Sequence, residues 1–415
     1  MVDKKRKVPN LRFKGFTNDW VQRKLSEVTE RVTRKNKNNE STRPLTISAQ
    51  DGLIDQNDFF DKQVASRDVS GYFLVKNGEF AYNKSYSNGY PWGAIKRLDH
   101  YDMGVLSTLY IVFNPTNVSS QFLVSYYDAT KWYKEVAKNA AEGARNHGLL
   151  NIAPSDFFST VLEIPTSIEE QDEIGDFLKK MDNLIAANQR KLDLLKQLKK
   201  GLLQKMFADQ DRKQPVLRFK GFHDDWEQRK LGDEYKHIGN AFVGTASPYY
   251  TQNGYFYLES NNIKNGQINH DHEVFINESF YHKQLNKLLH TGDLVMVQSG
   301  HVGDTAVITE KYNGTAAHAL IMFRKPKNNM LSFFLNSFFQ SSNAKNRIDV
   351  LAIGNTIRHI LASDMKKFVV YLPDNKEKGE VAKLFLELQK LISLQHQKLA
   401  KYQSVKKSLL QQMFI

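Results

Sequence analysis

The chain of 415 residues contains no cysteine. That removes disulfide scaffolds, thiol nucleophiles and Cys-ligated zinc together, and it fits a reducing, cytoplasmic setting. No apolar run approaches the roughly 18 residues a bilayer span demands. The opening residues, Met-Val-Asp-Lys-Lys-Arg-Lys-Val, lack the apolar core of a signal peptide. Catalytic signatures are missing as well. There is no Gly-x-x-x-x-Gly-Lys-Ser/Thr phosphate loop, which excludes a P-loop motor. The Gly-rich cofactor loop and Asn/Asp-Pro-Pro-aromatic tetrad of DNA methyltransferases are absent. Asn88-Gly89-Tyr90-Pro91-Trp92 comes nearest and lacks the paired prolines. Pro373-Asp374 followed by Glu377-Lys378 has the wrong spacing for a nuclease core, and Asp374 reads as a helix cap. His270, His272, His282 and His290 form no His-x-x-x-His pattern, so they read as exposed loop residues and no metal site is expected.

What the chain does have is ordinary globular composition, with 41% hydrophobic, 12% aromatic and 25% charged residues. At ~150 residues per domain it predicts two or three domains, each with a real core. The net charge is +13, and it is shared. Residues 1–208 hold 31 basic and 25 acidic side chains, and 209–415 hold 27 and 20. Two basic bodies point to a polyanion such as nucleic acid.

The sequence is written twice. Leu-Arg-Phe-Lys-Gly-Phe-Thr-Asn-Asp-Trp-Val-Gln-Arg-Lys-Leu at 11–25 returns as Leu-Arg-Phe-Lys-Gly-Phe-His-Asp-Asp-Trp-Glu-Gln-Arg-Lys-Leu at 217–231. Leu-Leu-Gln-Lys-Met-Phe at 202–207 returns as Leu-Leu-Gln-Gln-Met-Phe at 409–414. Between these flanks, 26–163 and 232–371 diverge almost completely. Ile164-Pro165 and Leu372-Pro373 each open a long charged stretch, and proline suits a first helical turn. The first stretch, 169–208, has apolar residues alternating by three and four at Ile174, Leu178, Met181, Ile185, Leu192, Leu195 and Leu202. The second has Val381, Phe385, Leu388, Ile392, Leu399, Tyr402 and Leu409. Asn188 and Gln395 interrupt both seams at one level, and Lys199 and Lys406 at another. Two rods of ~60 Å follow, and a pseudo-twofold relation would pair them antiparallel. The predicted domains are 1–163, a first spacer helix 164–208, a second body 209–371 and a second helix 372–415, with α+β bodies and an internal pseudo-twofold repeat.

Both bodies carry strand-like runs: 71–75, 79–82 and 109–113 in the first, with helix near 120–140; 293–297, 305–308 and 319–323 in the second, with helix near 331–346. A polar loop follows a matching strand in each. The first contains Lys84, Ser85, Tyr86 and Asn88; the second contains Gln298, Ser299 and His301. Later segments add Arg145, Asn146 and His147, and Asn355, Arg358 and His359. Amides can pair with adenine, cations with guanine and hydroxyls with either, so these residues are candidate base contacts.

This layout resembles the specificity subunit of type I restriction-modification enzymes. The two Leu-Arg-Phe-Lys-Gly-Phe…Asp-Trp…Lys-Leu segments look like the start of that family's recognition domains. Ile164-Pro165…Glu169-Glu170-Gln171…Ile174…Phe177-Leu178 looks like its approach to the spacer helix. The second copy departs from this, with Gly379 where glutamine would stand. The resemblance implies two target recognition domains, each reading half of a bipartite duplex site. It implies spacer helices that set the gap and dock two methyltransferase subunits, with two motor-endonuclease subunits joining for restriction. Catalysis, S-adenosylmethionine, ATP and Mg2+ would belong to the partners, and this chain would bind no cofactor. The alternatives are a single-chain methyltransferase or nuclease with unfamiliar motifs, and a coiled-coil adaptor.

Overall fold

Two 38-residue helices, Ile168–Lys205 and Asn375–Gln412, carry the heptad pattern. The computed structural model describes residues 7–48, 52–61, 65–66, 68–85, 89–140, 150–209, 212–354 and 358–415. None of its helices is long and apolar enough to cross a membrane. The chain divides into two units, Met1–Gln189 with Lys398–Ile415, and Arg190–Gln397. Each long helix therefore begins in one unit and ends in the other.

The units share a scaffold. In the first, an antiparallel sheet runs in the order Thr29–Val32, Ile111–Pro115, Phe80–Asn83, Ala94–Arg97. In the second the order is Tyr235–Asn240, Leu320–Pro326, Leu294–Val297, Thr305–Val307. A two-stranded ribbon joins the repeated flank to the strand before each long helix: Val21–Lys24 pairs with Val161–Ile164, and Glu227–Lys230 with Val369–Leu372. Helices Ser120–Asp128 and Leu331–Phe339 follow the sheets. The stretch predicted as one helix near 331–346 is two, because Ser341 caps a new helix, Ser342–Leu351, by accepting from the Ala344 amide.

Three boundary expectations shift. The first long helix begins three residues after Pro165, and the second begins two after Pro373. Both prolines follow a strand and stand before the helix, outside its first turn. Asp374 does cap, its Oδ1 accepting from the amides of Lys376 at 2.7 Å and Glu377 at 2.9 Å. The first helix stops at Lys205, short of 208, because Met206, Phe207 and Ala208 drop into the core of the second unit.

All the predicted seam positions are buried or half-buried, whereas Leu194, Leu198, Leu391 and Leu394 on other faces are exposed. The ends of the seam do further work in the bodies. Ile174 and Leu178 pack in the aromatic core of the first unit with Trp20, Phe122 and Phe414. Val381 and Phe385 do the same in the second with Trp226, Phe334 and Phe207. Phe207 and Phe414, one repeat apart, hold equivalent places. Phe207 lies 5.3 Å from Phe334 and 5.6 Å from Phe385 between ring centroids, and Phe414 lies 5.5 Å from Phe122.

The repeated opening segments also have a structural purpose that the sequence did not disclose. Arg12 grips buried Glu170 at the start of the first long helix through two hydrogen bonds of 2.6 and 2.8 Å, and the Trp20 indole N–H donates to the same carboxylate at 3.3 Å. Arg218 grips Glu377 at 2.7 and 2.8 Å, and Trp226 donates to it at 3.1 Å. Such planar forks fix orientation as well as charge. They also correct the helix alignment: Glu170 corresponds to Glu377, so the counterpart of Gln171 is Lys378, and Gly379 is its neighbour.

The two seam lysines meet different company. Lys406 Nζ lies 3.0 Å from Asp128 Oδ2 and 2.6 Å from Asp182 Oδ1. Lys199 donates to the side-chain carbonyl oxygens of Gln340, at 2.6 Å, and Gln389.

Candidate nucleic-acid interface

The first candidate loops occupy one place in both scaffolds. Loop 84–93 connects Phe80–Asn83 to Ala94–Arg97, and loop 298–304 connects Leu294–Val297 to Thr305–Val307. Each is the turn of the hairpin at the same edge of the same four-stranded order. The strands beneath are apolar and buried, along Phe80, Ala81 and Tyr82 and along Leu294 to Val297, and they anchor the loop bases in the core.

The structure also brings Arg358 and His359 to the second loop. In the second unit the Ile360 amide donates to Gln298 O at 3.1 Å, the Gly300 amide donates to Arg358 O at 3.3 Å, and Ser299 faces His359 in an antiparallel bridge. In the first unit the Leu150 amide donates to Lys84 O at 3.0 Å. Lys84 thus stands to Leu150 as Gln298 stands to Ile360. In the second body, segments more than 50 residues apart in sequence thus form one surface; in the first, the backbone meets at Lys84 and Leu150. Tyr86, Asn88, Arg145, Asn146, His147 and Asn355 lie outside the described residues.

The candidates differ in what their side chains are free to do. Arg358 is engaged by Asp349, donating to Oδ1 at 2.9 Å and to the backbone carbonyl. The His301 Nε2 lies 3.1 Å from Ser260 O and 3.3 Å from Ile263 O, so this nitrogen carries the proton and anchors the loop. Both residues hold the surface together. Ser299 and Gln298 are half-buried, and His359 is exposed beside them. In the first body the Asn83 side chain accepts from the Ser85 amide at 2.9 Å, turning the chain, and Lys84 is half-buried with Nζ 3.5 Å from Ile152 O. Beside the second loop, exposed Lys345 lines a 230 Å3 recess with His301 and Arg358. No local signal marks it in the sequence, because helix Ser342–Leu351 is far along the chain from loop 298–304.

The loops close by different glycines. Gly93 has φ +80°, and a Cβ there would come 2.1 Å from Asn83 O and 2.9 Å from the Tyr82 ring. Gly300 has φ +84° with open space around it. The clustered histidines have local partners: His270 contacts Glu273 at 2.5 Å and Tyr312 at 2.8 Å.

Residues 223–403 match the family described as the type I restriction modification DNA specificity domain. The second half of the chain is thus similar to the DNA specificity domain of type I restriction-modification systems. Two relatives come from Methanocaldococcus jannaschii. The putative type I restriction enzyme MjaX specificity subunit is 23% identical over 300 residues, 70% of this chain and 65% of the relative. The MjaVIII specificity subunit is 22% identical over 324 residues, 74% and 72% respectively. The fold is shared with the crystal structure of a type I S subunit from M. genitalium, at TM-score 0.57 and 13% identity, over 98% of this chain and 99% of that one. It is shared too with a chain from a structure describing assembly and conformational transition of the type I system, at TM-score 0.52 and 15% identity, over 94% and 96%.

Proposed function

We infer that this chain is a non-catalytic specificity subunit that reads DNA sequence in a type I restriction-modification complex. The observation that carries the reading is the repeated loop pair: two unlike polar surfaces at one edge of two like-ordered sheets. Like scaffolds under unlike loops favour a bipartite, asymmetric site, with one half read by each body. Gln298, Ser299 and His359 read bases in one half, while Arg358 and His301 stiffen that surface; Lys84 and Ser85 contribute to the other half. The shared basic charge supplies phosphate contacts that hold the duplex without choosing sequence.

The long helices act as the ruler between half-sites and as the dock for two methyltransferase subunits, with two motor-endonuclease subunits joining them. Their antiparallel pairing is supported by contacts in which the helix numbers run oppositely, Asp182 with Lys406 and Lys199 with Gln389. S-adenosylmethionine, ATP and Mg2+ act in those partners. Selection of binding sites from a randomised duplex pool, using the full chain with its methyltransferase partner, tests the reading. One split motif is expected, with affinity falling steeply as salt rises. Ser299→Ala or His359→Ala should relax one half-site by about 1–3 kcal/mol per lost base contact. One heptad added to both helices should lengthen the spacer and leave both half-sites intact. Recovery of no motif over random duplex would overturn the reading.

A further inference from the structure

The lysine slot in the second unit has lost its counter-charge. In the first unit Lys406 sits between Asp128 and Asp182, and Asp128 also holds Lys96 at 2.8 Å. One repeat later, Asp182 becomes Gln389. Asp128 ends the helix after the first sheet, and Gln340 is the C-cap of the helix after the second. Lys199 therefore finds two neutral amide oxygens where its twin finds two carboxylates.

The amides open onto a cavity of about 460 Å3 within the second unit. Lys199, Lys311 and Lys390 line it, Phe333 and Phe385 supply apolar wall, and no Asp or Glu takes part. Among the described residues no carboxylate lies within ion-pair distance of any of the three lysines. The amides are held in place: Gln389 Nε2 donates to Gln267 Oε1 at 2.9 Å, and Gln340 Nε2 donates to Asn336 O at 2.8 Å. Gly266 leaves room for this, since a Cβ there would come 2.3 Å from Gln340 Nε2. Two of the three ammonium protons of Lys199 go to the glutamines, and one remains.

A partly buried cation without a counter-ion is costly. We propose that this cavity is a binding site for a small oxyanion, a carboxylate or phosphate, which takes the place that Asp128 and Asp182 fill in the other unit. The first unit shows the chemistry that the slot accepts, and the cavity lets it arrive from solution. Burial, and then the charge of Lys345, push the Lys199 ammonium down to about 8, in keeping with a cation short of negative neighbours. This proposal stands independently of DNA reading.

The test compares the melting of the full chain in sodium phosphate, sodium succinate and sodium chloride at matched ionic strength and pH 7. Phosphate stabilises many proteins by exclusion from their surface, so the readout is the difference between wild type and variants. Wild type should gain a few degrees in phosphate or succinate over chloride. Lys199→Met should lose that gain, and so should Gln389→Asp, which supplies its own carboxylate. Lysine-selective NMR gives a second readout, in which phosphate should raise the titration midpoint of Lys199. Equal anion responses in wild type and both variants, or a Lys199 titration indifferent to phosphate and succinate, would overturn the proposal. A Lys199 titration that moves only with duplex DNA would overturn it too, assigning the lysines to phosphate-backbone contact.

Discussion

The two units keep the same clamp and change the same slot. Arg12–Glu170–Trp20 and Arg218–Glu377–Trp226 agree to within a few tenths of an ångström. Lys406 and Lys199 occupy one repeat position yet face aspartates in one unit and glutamines in the other. The clamp binds the chain before each body to the helix after it, so any change there misplaces the whole frame. The slot sits where a body helix meets the long helices, and there charge can be exchanged for amide while the packing stays. Duplication followed by divergence has preserved the geometry that positions the loops and released the polarity around them.

The largest effect is expected at the clamp. Glu170→Ala and Glu377→Ala each strand a nearly buried guanidinium, with Arg12 and Arg218 only 12% and 13% exposed. Loss of one partner of such a pair costs about 3–5 kcal/mol. Urea unfolding followed by unit-resolved hydrogen exchange should show each loss confined to its own unit and similar in size. A loss in one unit alone would break the equivalence. The loops come next. Gly93→Ala combines a left-handed backbone with a clash against Asn83 O and should cost about 2–4 kcal/mol, whereas Gly300→Ala has only the backbone penalty of about 1 kcal/mol. Equal losses, measured by the same exchange experiment, would mean that the first loop re-forms around the added methyl.

The elements that repeat in the sequence were legible there, and the pairings that cross between elements were not. The duplication, both long helices and the strands under the loops follow from identity and periodicity, which are local signals. Arg12 finding Glu170 across 158 residues has no local signal. Nor does the sequence distinguish a seam leucine that meets another helix from one, such as Leu178, that also closes a body core, because both need only an apolar face at the same spacing. The loops were recognisable as polar turns after matching strands. Which side chains remain available was not, since the tie between Arg358 and Asp349 depends on how a short hairpin folds back on a helix.

The smallest effect separates the lysines by the sign of their pH dependence. Burial acts to lower Lys406, but Asp128 and Asp182 outweigh it and its pKa is raised. A raised lysine stabilises fully below its unfolded pKa of ~10.4 and loses that contribution only as pH climbs through the folded value. Lys406→Met should therefore cost about 1–2 kcal/mol, between exposed and buried pairs, and constant from pH 7 to 10. Lys199 is lowered to about 8. Its charged form works against folding below that pH, and the penalty fades as pH rises from about 8 towards ~10.4, because the unfolded chain keeps the proton longer. In phosphate-free buffer Lys199→Met should be neutral or stabilising at pH 7, with wild type gaining on it by pH 10. Urea midpoints at pH 7, 8.5 and 10 decide the matter. Parallel pH courses for the two variants would mean that exchanging aspartate for glutamine left the electrostatics of the slot unchanged.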